Sequence, residues 1–518
     1  MTSASWKKNL VFLIYLSTPL QLASSLSAPS ISNTEASMSP TTTLSSSLTP
    51  KIITISEKVW RNAASTHSQR IRSLLQPGLT PLEHNINSGR SKRQQHYVDD
   101  WTALDPVNPI YNFLIEYYGL KGAKGPRRLA RWAPDPKLLS DEHINKNCDD
   151  SPPTKLSSSA ENEQVYKAAM KASHGLGGIL LENANLDDLG GTLHMRGGVP
   201  VPVLGEGDSD DQTTESSSTL DNTEQLHGIL YNPAVFYNRH LPLNDDEHDR
   251  EWKQQLLRTI APFQWYTSIL KQTLNSDPIL HCYGLHEWAM QYHPEGEDPP
   301  PSAKYQSSLN LRVSREVINE TVERKGIRCT HVDALRFFAP AAGPLNHHGA
   351  SLERMDQLRL EQKGCVHAHM DLLKIGLKLQ GFIDSELMVD ILEIALAARK
   401  LDVEASPYDA TEYGAGIVPI ETNDGRKMYR DRQIGLMQRA EPVRQRLLDA
   451  YEVFLKMAFD ETLLMGSDEF VGGGKRASAD SNMTTKSNNG DGPYVAPERL
   501  ARAEPGGLPW RKNLIEKS

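Results

Sequence analysis

Three short stretches of this chain concentrate side chains that do chemistry. They run from His281 to Trp288, from Arg328 to Phe338 and from Gly364 to Asp371. Together they carry Cys282, His286, Cys329, His331, Asp333, Cys365, His367, His369 and Asp371. Residues four apart share a helix face, so helical geometry pairs Cys282 with His286, Cys329 with Asp333, Cys365 with His369 and His367 with Asp371. Cys282, His286, Cys329, His331, Cys365 and His367 are soft and borderline donors that suit Zn²⁺ or Fe. No standard ligand spacing occurs, so the competing expectation is structural. Buried Cys then acts as a small apolar side chain, and His–Asp pairs brace helices. Asp333 and Asp371 are the acid/base candidates, with His331 and His367 as their partners. Apolar neighbours would desolvate either carboxylate. An ion pair to Arg336 or Lys374 is the alternative for both. Trp288, Phe337, Arg336 and His286 are candidate substrate contacts. Aromatic faces of this kind can stack an extruded base, or they can simply fill a core.

The elements around these motifs read as mostly helical. Glu57 to Leu75 can form a polar helix, and Pro109 to Tyr118 an aromatic-rich one with its proline in the first turn. Arg127 to Trp132 is basic and aromatic, and Asp135 to Glu163 reads as loop. His174 to Leu181 is a short apolar run that suits a strand or a turn. Trp252 to Asn275 has helical apolar spacing that Pro262 would interrupt or kink. Arg315 to Lys325 is a polar helix closed by Gly326. Cys365 to Leu401 is strongly helical, broken at Gly381 and restarted by a cap at Asp384 or Ser385. Arg426 to Phe454 gives a helix or a pair interrupted at Pro442. The fold class expected is mainly α: one helical domain over residues 97–464 with a few short strands. An insertion at about 205–225, rich in Ser, Thr and Asp, holds too little apolar surface to order itself, and 465–518 reads as a disordered tail.

Composition narrows the classes. Hydrophobic residues make up 38% and charged residues 23%, and mean hydropathy is -0.50, which excludes a membrane-embedded chain. A net charge of -9 leaves no overall electrostatic footprint for nucleic acid, so DNA as a partner would need a local basic face. The basic stretches Lys121 to Arg131 and Arg426 to Arg446 are where one could lie. Four cysteines are too few for a disulfide scaffold. Residues 1–28 have signal-peptide form, with Lys7 and Lys8 ahead of the short apolar run Leu10 to Leu16. Residues 29–96 follow as a Ser/Thr-rich, acid-poor transit-like and linker region. That two-part leader suggests a plastid address, with plain secretion as the alternative.

The motifs also bear a resemblance. Cys282 to Met290, Ile327 to Asn346, Gly364 to Lys374 and Ala405 to Asp409 resemble, in this order, a mainly bacterial family labelled 3-methyladenine DNA glycosylase. Asn108 to Tyr118 and Arg127 to Trp132 fit its start, so the likeness spans Pro106 to Leu448 apart from insertions. The resemblance implies excision of an alkylated purine, with Asp371 or Asp333 assisting water and Trp288 and Phe337 lining the pocket. The family pattern has Asn in place of His369, which singles out His367 and Asp371. The Gly-rich hairpin of helix-hairpin-helix glycosylases has only a faint echo at Gly175 to Gly177. Two functions are therefore expected to compete: base excision, which needs a basic groove and an aromatic pocket, and metal-dependent chemistry on a small organic substrate, which needs converging ligands.

Overall fold

The computed structural model describes residues 51–75, 108–120, 124–139, 160–185, 188, 198–203, 226–238, 249–296 and 309–459. The leader before residue 51, the insertion at 205–225, Cys148 and the chain beyond 459 lie outside the described residues.

A small mixed sheet is built from β1 (Ile52–Ile55), β2 (Gly178–Glu182), β3 (Gly198–Pro202) and β4 (Leu226–Tyr231), in the order β1-β2-β4-β3. β1 runs parallel to β2, and β4 is antiparallel to both β2 and β3. Side chains alternate across a strand. Ile179, Leu181, Ile229 and Tyr231 therefore face Trp60 and Ala133, while Ile52, Leu180, Val201 and Leu230 face Ala168 and Ala169. Trp60 belongs to α1 (Glu57–Leu75), and its indole N–H donates to the Glu182 carbonyl at 2.8 Å. Ala168 and Ala169 belong to α4 (Ala160–Ala172). The sheet is thus covered by a helix on each face.

The start of the folded unit differs from the sequence expectation. Residues 29–96 read as leader and linker and the fold was expected to begin near residue 97, yet β1 and α1 are integral to it. Ile52 is buried in the sheet, and Ile71 and Leu75 at the far end of α1 enter the main helical core. Ser/Thr-rich composition upstream hid a four-residue strand whose partner lies more than a hundred residues away.

The rest is helical, as expected. α2 (Pro109–Tyr117) and α3 (Lys124–Leu129) precede α4, and α5 (Pro233–Asn238) leads to α6 (Asp249–Asn275). Then come the short α7 (Leu285–Met290), α8 (Arg315–Glu323), α9 (Val332–Leu335) and α10 (Asp356–Leu360). α11 (Val366–Lys378), α12 (Ser385–Glu404) and α13 (Asn423–Ala458) form the centre and pack on one another. The Asp384 carboxylate caps α12 by accepting from Leu387 N–H at 2.7 Å, the cap that the sequence suggested.

Two prolines do not break their helices. Pro262 lies inside α6 and Pro442 inside α13, each within one continuous helix. An interior proline costs about 3 kcal/mol. The aromatic contacts between these two helices offset it: Phe263 meets Phe454 at 4.7 Å between ring centroids and Tyr451 at 6.3 Å, and Tyr266 meets Tyr451 at 6.3 Å. No helix among the described residues is long and apolar enough to cross a membrane.

Candidate metal centre

The three motifs meet around α11, and histidines, not cysteines, converge there. His367 and Asp371 lie one turn apart on α11, the spacing that predicts a shared face. His331 precedes α9 and stacks its ring on His367, with centroids 4.6 Å apart and planes 18° apart. His286, from α7, also meets the His367 ring edge-on, with centroids 4.3 Å apart. What brings α7 to this position is a backbone reversal. Tyr283 and Gly284 both have left-handed φ, 52° and 67°, and Gly284 is the N-cap of α7. For a tyrosine this conformation is costly. It also explains why the expected pairing of Cys282 with His286 does not form, since the two residues are not on one helix.

Asp402, on α12, completes one trio. The ligand atoms of His286, His367 and Asp402 all lie within 4.8 Å of one another. His286 Nε2 and Asp402 Oδ1 are 2.7 Å apart, and the two residues are 4% and 0% exposed. The pair is an ion-pair contact at hydrogen-bond distance that helps hold the Asp402 carboxyl down, although its angle falls short of a well-aligned hydrogen bond. The other Asp402 oxygen, Oδ2, accepts from Arg399 Nη1 at 2.6 Å. The same guanidinium donates to Glu287 Oε1 at 2.9 Å and to the Pro109 carbonyl at 3.0 Å, and it lies 5.2 Å from the Phe113 ring. Burial pushes the Asp402 carboxyl up, but His286 and Arg399 outweigh it and hold it well below the usual carboxylate range. Burial, with His286 and His331 beside it, pushes His367 well down, so it is a neutral imidazole, the form that binds metals.

A second trio, His331, Asp333 and Asp371, meets the same 4.8 Å limit, but its two carboxylates already have partners. Asp371 Oδ2 faces His331 Nε2 at 3.4 Å, and Asp371 Oδ1 accepts from the Tyr118 hydroxyl at 3.2 Å. Asp333 is ion-paired to Arg336 through Oδ1, and its Oδ2 lies 3.7 Å from Arg354 and 4.0 Å from Lys374. Burial raises both carboxyls, but Lys374 and further cations dominate and hold each below the usual range. Burial disfavours the charged form of His331, yet the Asp371 carboxylate outweighs it and raises this imidazole. His331 Nδ1 is buried without a hydrogen-bond partner. The ion pair considered for Asp333 is therefore present, whereas Asp371 is bound instead to a histidine and a tyrosine.

The remaining predicted residues fall elsewhere. Among the described residues, no cysteine joins either trio. Cys282 is half-buried and accepts from Gln433 Nε2 at 3.4 Å. Cys329 and Cys365 are buried, and burial pushes the Cys329 thiol up to about 12 and Cys365 well above its usual value. Such thiols behave as small apolar groups. Cys329 cannot pair with Asp333 on a helix because α9 begins only at Val332. Cys365 is the N-cap residue of α11, and His369 turns away to accept from Arg444 Nη2 at 3.2 Å. Trp288 is 0% exposed, with its indole N–H on the Ala405 carbonyl at 2.8 Å, so it is core and not a stacking face. Phe337 is half-buried beside the Arg336 guanidinium, 5.5 Å from its ring.

Sequence reasoning missed Asp402, Arg399, Glu287 and Tyr118. A signal existed for the first two. Arg399 and Asp402 fall on the buried surface of α12, where the neighbouring buried positions are Ala395, Ala398 and Leu401. Charges inside an apolar helix surface need partners. No family model, curated protein or solved structure matches this chain.

Proposed function

We propose that this chain is a metal-dependent hydrolase of a small substrate, with one Zn²⁺ or Fe²⁺ held by His286, His367 and Asp402. The observation that carries the reading is the convergence of three buried donors, since the ligand atoms of His286, His367 and Asp402 all lie within 4.8 Å of one another. Donors on one ion with bonds of about 2.1 Å sit about 3–3.5 Å apart, so the His286 Nε2 and Asp402 Oδ1 atoms, now 2.7 Å apart, would separate slightly to admit the cation. A nitrogen and oxygen donor set from His and Asp, without thiolate, suits Zn²⁺ or Fe²⁺.

An ion held by His286, His367 and Asp402 would supply an activated water, with a pKa that a divalent ion lowers to about 7. His331, whose ring stacks on His367, would take the proton. Asp371 engages Nε2 and Tyr118 steadies Asp371, which leaves Nδ1 as the basic atom. The activated water would hydrolyse the substrate, with the proton held on His331 passing to the leaving group. The resemblance places N-glycosidic cleavage of alkylated purines among the hydrolyses to assay. Stacking by Trp288 does not support it, since that ring is buried.

The test is metal content of the purified full chain beside three variants. Wild type and Cys365→Ala should retain about one equivalent, whereas His286→Ala and Asp402→Asn should lose it while remaining folded. A folded wild type that takes up no Zn²⁺ or Fe²⁺ on reconstitution would sink the proposal.

A further inference from the structure

Beyond the second trio lies a group of cations larger than its acids require. Arg336, Arg354 and Lys374 all converge on the carboxylate of Asp333, and Lys374 and Arg354 also act on Asp371 nearby. Arg336 is engaged closely, since it is ion-paired to Asp333 and donates to the Tyr117 hydroxyl at 2.8 Å. The other two are held more loosely, Arg354 with its guanidinium 5.4 Å from the centre of the Trp265 ring. Arg354 Nη1 and Lys374 Nζ stand 3.7 and 4.0 Å from the same Asp333 oxygen, and among the described residues neither side chain makes a hydrogen bond. Their side chains are 31% and 20% exposed, so solvent reaches them only in part. A half-buried ammonium with three unused donors and a half-buried guanidinium beside it form a receptor for oxygen anions.

We infer that Arg354 and Lys374, with Arg336 behind them, bind the phosphate group of a small phosphorylated substrate. The inference rests on the metal-hydrolase reading for the neighbouring centre. Shape selects phosphate over carboxylate. Three positive charges face the two carboxylates of Asp333 and Asp371, which leaves one positive charge for an incoming anion. A tetrahedral phosphate offers three oxygens to diverging donors, where a carboxylate offers two. The site adjoins the chemistry. Asp333 shares its trio with His331 and Asp371, and the His331 ring stacks on the proposed ligand His367. A phosphate held on Arg354 and Lys374 would thus lie on the His331 side of the metal, where the proposed base operates. Asp333 keeps the cations gathered in the empty protein and yields them to the stronger anion.

Inorganic phosphate is the probe. Titrate it calorimetrically into the Zn²⁺-loaded full chain, and into Arg354→Gln and Lys374→Met, with metal content measured on the same samples. Phosphate should bind saturably, each variant should weaken it at least tenfold, and metal content should stay at the wild-type level. Acetate at equal concentration should compete poorly. Retained metal with unchanged phosphate affinity in both variants overturns the phosphate site and leaves the metal centre standing. Acetate competing as well as phosphate overturns the choice of phosphate. If wild type holds no metal, the hydrolase reading fails instead, and the same titration on the metal-free chain still decides the anion site. Binding equal in Arg354→Lys and wild type, but lost in Arg354→Gln, would support charge recognition over a folding defect.

Discussion

Replacing Arg399 by Met separates structure from metal binding at the proposed centre. Arg399 is buried and holds Asp402 Oδ2 at 2.6 Å and Glu287 Oε1 at 2.9 Å. Methionine preserves much of the apolar stem but removes the cation, leaving two buried carboxylates without it. Breaking a buried ion pair from one side costs about 3–5 kcal/mol. The loss should therefore fall in that range, below the sum of the separate hydrogen bonds because they share one guanidinium. Arg399 also fixes the rotation of Asp402, so its removal should weaken the metal about 10–100-fold, as outer-shell changes do. These two effects can be read together in urea unfolding with and without Zn²⁺. At a free metal concentration one hundred times the wild-type Kd, wild type gains about 2.7 kcal/mol. At that same concentration the variant should gain only about 1.4 kcal/mol for a tenfold weakening, or about 0.4 for a hundredfold. A loss below about 1 kcal/mol with an undiminished metal gain would refute the claim that Arg399 supports Asp402 as a ligand.

Three further outcomes follow from the packing. His67 is buried with Nε2 on the Leu129 carbonyl at 2.9 Å, and burial lowers its pKa below the ordinary 6.5. The unfolded chain then takes up this proton first, so stability is full above pH 6.5 and falls as pH drops towards the folded value. The slope is at most about 1.4 kcal/mol per pH unit, and His67→Gln should flatten that part of a denaturation profile. Trp288→Phe strands the Ala405 carbonyl and should cost about 1–3 kcal/mol in a urea melt. It should leave metal content unchanged, and metal loss there would contradict a purely structural role. Gly425 sits where an added Cβ would lie 1.9 Å from the Pro419 carbonyl oxygen. Gly425→Ala should lower stability by about 1–3 kcal/mol, and a neutral result would show that the entry to α13 is not held as described.

How far the sequence disclosed this site depends on how local each part is. α1, α2 and the α11–α12 break are set by caps, glycines and 3.6-residue periodicity, all within a few residues, and each was legible. The continuity of α6 and α13 was not, because it is decided by Phe263, Tyr451 and Phe454 meeting across the core. Within the site, the one-turn spacing of His367 and Asp371 could be read because both lie on one helix, but the two enter different trios. Tyr118 reaches Asp371 across 253 residues, and Arg399 reaches Pro109 across 290, so neither partnership has a local signature. The cysteines misled for a physical reason. Their placement beside histidines suggests ligands, but the left-handed turn at Tyr283 and Gly284 and the late start of α9 separate them from the side chains they accompany in sequence. The two trios also have the same kinds of donor, and composition cannot rank them. Only the surroundings do: Asp333 lies among three cations, while Asp402 meets Arg399 through Oδ2 and turns Oδ1 to His286. A ligand set is recognised by what surrounds its lone pairs, and that property exists only once the chain has folded.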